Sequence, residues 1–314
     1  MRIYVNRRPT PGPWGGGSKI LSSIVQEAIT RGHDVFLAED VRRLDKVDVI
    51  MSIDPRDSQD VSAASVINLR NRSNCPWIQR VGDVGTHGKP ELTVAVEDAL
   101  RRCDVAVFPS EWARSYVRVP ESLVTKIIWN RPLPDFVGRI QRRKWMEDGV
   151  LRVVTHHWSD NSCKGHDIYE AFSKELSVKH GDVQFTFIGR RPKEVRLSRE
   201  IPPLDVPGLV EEIPRHDVYL TASRLEAGAN HVLEAMGLGL PVLYRSSGGS
   251  IVEYCMGRGI MYRDVDHLVS LLEEERDELQ RLRNDMTLGG RLAWLTTSQD
   301  TARQYVDLLE ETTK

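Results

Sequence analysis

Two glutamates eight positions apart carry the strongest chemical signal in the chain. The string runs Glu226-Ala-Gly-Ala-Asn-His-Val-Leu-Glu234 and continues Ala235-Met-Gly-Leu-Gly-Leu-Pro-Val242. The spacing puts the first carboxylate in a loop after a strand and the second in the first turn of a helix. Gly228 and Ala229 would leave the backbone between them uncovered, so the amides of Ala229 and Asn230 would face an anion. The carboxylates on either side would accept hydrogen bonds from hydroxyl groups, and a sugar or a ribose would fit. Downstream, Ser247-Gly-Gly-Ser-Ile-Val-Glu253 reads as a second glycine turn entering a helix.

A second candidate anion site is Trp14-Gly15-Gly16-Gly17-Ser18-Lys19, between the first strand and the first helix. Amides of Gly15, Gly16 and Gly17 and the helix N-terminus would approach a phosphate. The spacing matches neither G-x-x-x-x-G-K-[ST] nor G-x-G-x-x-G, so neither a P-loop nor a dinucleotide fold is indicated, and a plain strand–helix turn stays open. A third polar stretch, Gln79 to His87, follows a β-rich run, with Asp83 and His87 as candidate catalytic groups and a surface loop as the alternative. No metal and no cofactor is expected.

The chain of 314 residues is 40% hydrophobic and 28% charged, which excludes a disordered or low-complexity protein. No apolar run reaches the roughly 18 residues of a membrane helix, and the N-terminus lacks a signal-peptide core. Cys75, Cys103, Cys163 and Cys255 form no C-x-x-C pair, which suits reduced thiols and a cytoplasmic location. The net charge of −2 divides unevenly, +5 over residues 1–147 and −7 over the rest. That asymmetry is too small to indicate a nucleic-acid binder, although the first half would tolerate an anionic partner.

Two runs of alternating strands and helices must position these groups. In the first half, strands are expected at Met1–Asn6, Asp34–Ala38, Val47–Ile53, Ser65–Leu69, Trp77–Val81 and Val105–Pro109. Helices are expected at Ser18–Thr30, with Ser18 as its cap, at Glu91–Arg102 and from Trp112. The Pro-rich, basic stretch Arg131–Lys144 reads as a linker. The alternation restarts with strands at Leu151–Thr155, Gln184–Ile188, Val218–Leu220 and Val242–Tyr244. Helices follow at Asp167–Lys179, from Val232, over Asp266–Asn284 as one long element, and at Thr301–Leu309. The fold class is therefore α/β, with two parallel sheets that bind ligands at their strand C-termini.

The Glu226–Glu234 string, the Ala-Met-Gly-Leu-Gly-Leu-Pro-Val that follows and the Gly-Gly-Ser-Ile-Val-Glu turn closely resemble the motif of retaining GT-B glycosyltransferases of family 4. Phe108-Pro-Ser-Glu-Trp112, Trp129-Asn-Arg-Pro132 and Lys164-Gly-His-Asp167 fall in the family's order. The resemblance implies a GT-B fold of two Rossmann-like domains facing a cleft. These would be an acceptor domain over 1–135, a linker over 136–148, a nucleotide-sugar domain over 149–296 and a C-terminal helix over 297–314 crossing back to the first domain. It implies metal-independent sugar transfer with retention from a nucleoside-diphosphate sugar, most often a UDP- or GDP-sugar, to an acceptor hydroxyl. Glu226 would lie by the donor sugar, Glu234 would hold the ribose, and Lys164 would neutralise the diphosphate. The backbone of Gly15–Gly17 would meet the diphosphate from the other domain. The family's Gly-Arg before the lysine is missing. His156, His157, Arg190 or Arg191 would replace that cation. The acceptor is open: a glycan, a lipid-linked sugar or a nucleic acid, all compatible with an anionic partner. Two other readings remain, a phage-type enzyme that glycosylates nucleic acid and an inactive nucleotide-sugar-binding protein.

Overall fold

A computed structural model describes residues 1–10, 16–38, 41–59, 61–137, 144–179, 181–287 and 297–314. Its contacts divide the chain into two compact units. One takes in 16–130, the N-terminal strand and 298–314; the other takes in 131–297. The division falls between Asn130 and Arg131 rather than inside 136–148. Phe136 is fully buried, and its turn, Pro134–Phe136, packs with the second unit. Arg139, Arg142 and Arg143 of the basic run lie outside the described residues.

The first unit is a parallel sheet, β1 (Arg2–Val5), β2 (Asp34–Leu37), β3 (Val49–Ser52), β4 (Trp77–Arg80), β5 (Val105–Phe108) and β6 (Val124–Ile127), in the order β2-β1-β3-β4-β5-β6. Its helices are α1 (Gly16–Thr30), α2 (Ala63–Ser73), α3 (Pro90–Leu100) and α4 (Glu111–Tyr116). Central strands such as VIMS and VAVF are buried along their whole length, as a sheet covered on both faces requires. The C-terminal helix, Ser298–Thr312, belongs to this unit. Ala302, Tyr305, Val306 and Leu309 join Ile20, Leu21 and Ile24 of α1 in one apolar core with Ile3, Val5 and Ile78. Arg31 ties the two helices by bonding both Glu27 and Asp307, the latter at 2.6 Å.

Two local expectations fail here. Ser65–Leu69 lies inside α2. Val66 and Leu69 are the buried face at helical spacing, and Ser62 caps the helix by accepting from the Ser65 amide at 3.1 Å. Helix α1 begins at Gly16, not after a Ser18 cap; the Ser18 hydroxyl instead accepts from the Thr10 amide at 2.6 Å.

The second unit repeats the plan with β7 (Leu151–His157), β8 (Val183–Gly189), β9 (Glu200–Ile201), β10 (Val218–Leu220), β11 (Val242–Arg245) and β12 (Gly259–Tyr262). These six parallel strands run in the order β12-β11-β10-β7-β8-β9. Helices α5 (His166–Lys179), α6 (Val206–Glu212), α7 (Asn230–Gly237), α8 (Ser250–Cys255), α9 (Val265–Glu274) and α10 (Arg276–Thr287) cover it. The expected long helix over 266–284 is thus two. Glu275 between them leaves helical geometry at φ −112°, ψ 21°. The break lets α10 turn Arg283 onto Asp217, a pair with essentially no exposure and a 2.7 Å bond.

Candidate functional site

Strand β7 carries His156 and His157 to the C-terminal edge of the second sheet, and the chain there is shaped by two glycines. In register, His157 pairs with Gly189 at the end of β8. Gly189 has φ +128°, and a Cβ on it would stand 1.8 Å from the His157 carbonyl oxygen. After β7 the chain makes a short turn, Ser162–Lys164, capped by Asn161, whose side chain accepts from the Cys163 amide at 2.9 Å. Gly165 closes that turn at φ +79°, where a Cβ would meet the Ala222 carbonyl at 2.3 Å. Both places admit only glycine at low cost. Together they fix Lys164 directly ahead of α5.

Lys164 Nζ donates to Glu226 Oε1 at 2.6 Å, and the two side chains are only 15% and 10% exposed. The loop that brings Glu226 there is clamped to the second glycine turn. The amides of Leu225 and Glu226 donate to the carbonyls of Ser247 and Gly248, and the Ser250 amide donates to the Glu226 carbonyl. Leu225 adopts φ +54°, a left-handed backbone that a branched side chain disfavours. The glycine turn read from the sequence as a second motif is therefore the wall that holds the first.

Glu234 sits in the second turn of α7 rather than the first, since that helix begins at Asn230. Its Oε2 is 2.9 Å from His156 Nε2, with both groups buried. Tyr219 holds the other side of that histidine: its hydroxyl lies 3.1 Å from Nδ1 and accepts from the His156 amide at 3.2 Å. The two glutamates of the string thus each meet a basic side chain from the segment around the end of β7.

Below these pairs lies a knot of aromatic and imidazole rings. His157 Nε2 is 2.7 Å from the Tyr169 hydroxyl, which also accepts from the Ala222 amide at 2.8 Å. The rings of His157 and His231 are 5.0 Å apart at their centroids, and His231 Nε2 is 3.0 Å from Thr221 Oγ1. Burial, then the neighbouring positive groups, pushes the pKa of His157 well below the ordinary histidine value. Burial pulls that of His231 down to about 3. Burial likewise raises Tyr169 above its usual range. These histidines are neutral near pH 7. His231, Tyr169 and Tyr219 were not singled out from the sequence. His231 lay within the glutamate string, where a helical ring flanked by Asn and Val looks like ordinary packing.

The other expected residues are dispersed. Arg190 lies at the end of β8, its guanidinium stacked 4.2 Å from the Trp158 ring centre, while Arg191 pairs with Glu200 at 2.8 Å. Of the amides expected to face an anion, that of Ala229 donates to Ser250 Oγ and that of Asn230 to the Gly228 carbonyl, so the loop itself uses both. In the first unit, Gly15 lies outside the described residues, while Gly16 and Gly17 open α1, and a Cβ at Gly17 would meet open space. Asp83 accepts from the Gly85 amide at 2.9 Å and from Lys89 at 3.1 Å. His87 is half-buried in the turn that follows. An Asp-x-Asp string does occur, Asp264-Val-Asp266, but Asp264 caps α9 by accepting from the His267 amide. Among the described residues no group of three His, Cys, Asp or Glu side chains converges as metal ligands would. No described helix is long and apolar enough to cross a membrane.

No protein-family model matches this sequence, and no curated protein does. Solved structures do match. The sucrose-phosphate synthase of Thermosynechococcus elongatus superposes with a TM-score of 0.77 at 13% identity over 99% of each chain. An E. coli trehalose-6-phosphate structure bound with UDP-2-fluoro glucose gives 0.64 at 11% identity over 99% of each. AviGT4, a glycosyltransferase involved in avilamycin A biosynthesis, gives 0.60 at 13% over 100% of this chain and 98% of its own. The fold is the GT-B fold of these glycosyltransferases, two parallel α/β sheets each with its helices.

Proposed function

We propose that the chain is a glycosyltransferase that takes a sugar from a nucleoside-diphosphate sugar, with retention and without a metal ion. The observation that carries the reading is the double pairing of the glutamate string, Lys164 with Glu226 and His156 with Glu234, at the C-terminal edge of one parallel sheet. In this reading Lys164 exchanges its carboxylate contact for the donor diphosphate. Its charge stabilises the leaving group as the glycosidic bond breaks and the sugar becomes oxocarbenium-like. Glu226 accepts hydroxyl hydrogen bonds from the sugar, and Glu234 those of the ribose. Arg190, exposed just past β8 with its guanidinium stacked on Trp158, is the better second cation now that His157 is neutral. The structural neighbour bound with UDP-2-fluoro glucose makes UDP the first nucleotide to try.

The test is calorimetric titration of UDP and GDP into wild type and into Lys164→Ala and Arg190→Ala, with release of free sugar from UDP-sugars followed in parallel. Each lost charge-assisted contact should weaken the nucleotide by about 1.5–3 kcal/mol. A nucleotide bound equally well by wild type and both variants would refute the assignment. The anomer of the transferred sugar, read by NMR, decides retention.

A further inference from the structure

Arg80 ends β4 in the first unit, and it is 3% exposed. A guanidinium stays charged at any physiological pH, and a buried charge ordinarily has a counter-charge. Among the described residues Arg80 forms no ion pair. Its Nη2 donates to the neutral Asn130 Oδ1 at 3.2 Å, and its Nε has no hydrogen-bond partner. The Tyr305 hydroxyl, also neutral, lies beside it. The acid nearest in sequence, Asp83, is turned to Lys89 and the Gly85 amide.

Position adds to this. Arg80 points to the same face of β4 as Ile78, because side chains alternate along a strand. Ile78 packs with α1 and the C-terminal helix, so Arg80 lies on that face at the C-terminal edge, where α1 also begins. That edge is where open parallel sheets bind ligands. The residue over the guanidinium is Gly82, half-buried; a Cβ there would stand 2.2 Å from Nη1. Any other residue would cap the cation.

We propose that Arg80 is an oxyanion site: the acceptor carries a phosphate or carboxylate group that reaches the guanidinium past Gly82 and supplies the missing counter-charge. This rests on the transferase reading for the word acceptor, but the oxyanion site itself stands on Arg80.

The experiment titrates inorganic phosphate into the whole protein by calorimetry at constant ionic strength, for wild type, Arg80→Met and Gly82→Ala. Wild type should bind, and each variant should bind about tenfold or more weakly, Arg80→Met through the lost charge-assisted bonds and Gly82→Ala through its added methyl. Gly82→Ala keeps the charge and needs no positive φ, so it serves even where Arg80→Met does not fold. Glucose 6-phosphate and glucuronate, titrated in the same way, separate a phosphate from a carboxylate source. Equal phosphate binding by wild type and the folded variants, or no binding by any, overturns the proposal. UDP titrated into the same samples keeps the two readings apart. A protein that binds phosphate through Arg80 but no nucleotide keeps this site and loses the transferase.

Discussion

Removing Lys164 should damage the fold as well as any binding, because it strands a carboxylate. The pair is 2.6 Å long with 15% and 10% exposure. Breaking a fully buried pair by deleting one partner costs about 3–5 kcal/mol; with roughly a tenth of each group still wetted, about 2–4 kcal/mol is the expectation for Lys164→Met. Glu226→Gln keeps an oxygen that accepts from Nζ and should cost less, about 1–2 kcal/mol. The double variant carries neither the stranded carboxylate nor the stranded ammonium, so it should be more stable than the sum of the singles by about 1–3 kcal/mol. Urea unfolding of the four proteins, followed by circular dichroism with a common m-value, measures that difference. Additivity to within about 0.5 kcal/mol would refute the argument: the two groups would then be solvated independently despite their contact. The cycle also sets how activity data are to be read. A loss of transfer in Glu226→Gln counts as chemistry only after its fold loss has been subtracted.

Gly189→Ala should unfold or strongly destabilise the second unit, by about 3 kcal/mol or more, since its Cβ would meet the His157 carbonyl at 1.8 Å on a φ of +128°; an unchanged urea midpoint would mean the strand ends are looser than described. Stability should fall as pH drops below about 6.5, because burial depresses His157, His231 to about 3 and His216 to about 4, so the unfolded chain takes up these protons first. Each such group adds at most about 1.4 kcal/mol per pH unit, where the unfolded chain is protonated and the folded one is not, and urea midpoints that stay level from pH 7 to 5 would contradict the direction.

Much of the fold was legible because parallel sheets are buried on both faces, and strands such as VIMS and VAVF announce that in their composition. Ser65–Leu69 misled for the same reason. Its Val and Ile suit a strand, while the evidence for a helix lay three residues upstream in the Ser62 cap. The short edge strands β6, β9 and β12 escaped notice, being largely half-exposed or exposed and at most four residues long. The break at Glu275 had no proline or glycine to mark it. It follows from the buried Arg283–Asp217 pair, whose members are 66 residues apart.

The candidate site divides along the same line. The glutamate string was visible because its members are close in sequence and its glycines are unusual. Its partners are not local: Lys164 is 62 residues from Glu226, and His156 is 78 from Glu234. A motif can name an acid but cannot say which base faces it. The adjacent histidines show how far that limit reaches. In sequence His156 and His157 are interchangeable candidates for one cation. Strand alternation sends their side chains to opposite faces of β7. One meets Glu234; the other sinks among Tyr169, Phe187 and His231 and stays neutral. Identical residues thus take different surroundings because the fold places a carboxylate beside only one of them. In the proposed reading the second cation is Arg190, which owes its place to the glycine that lets β8 end against His157.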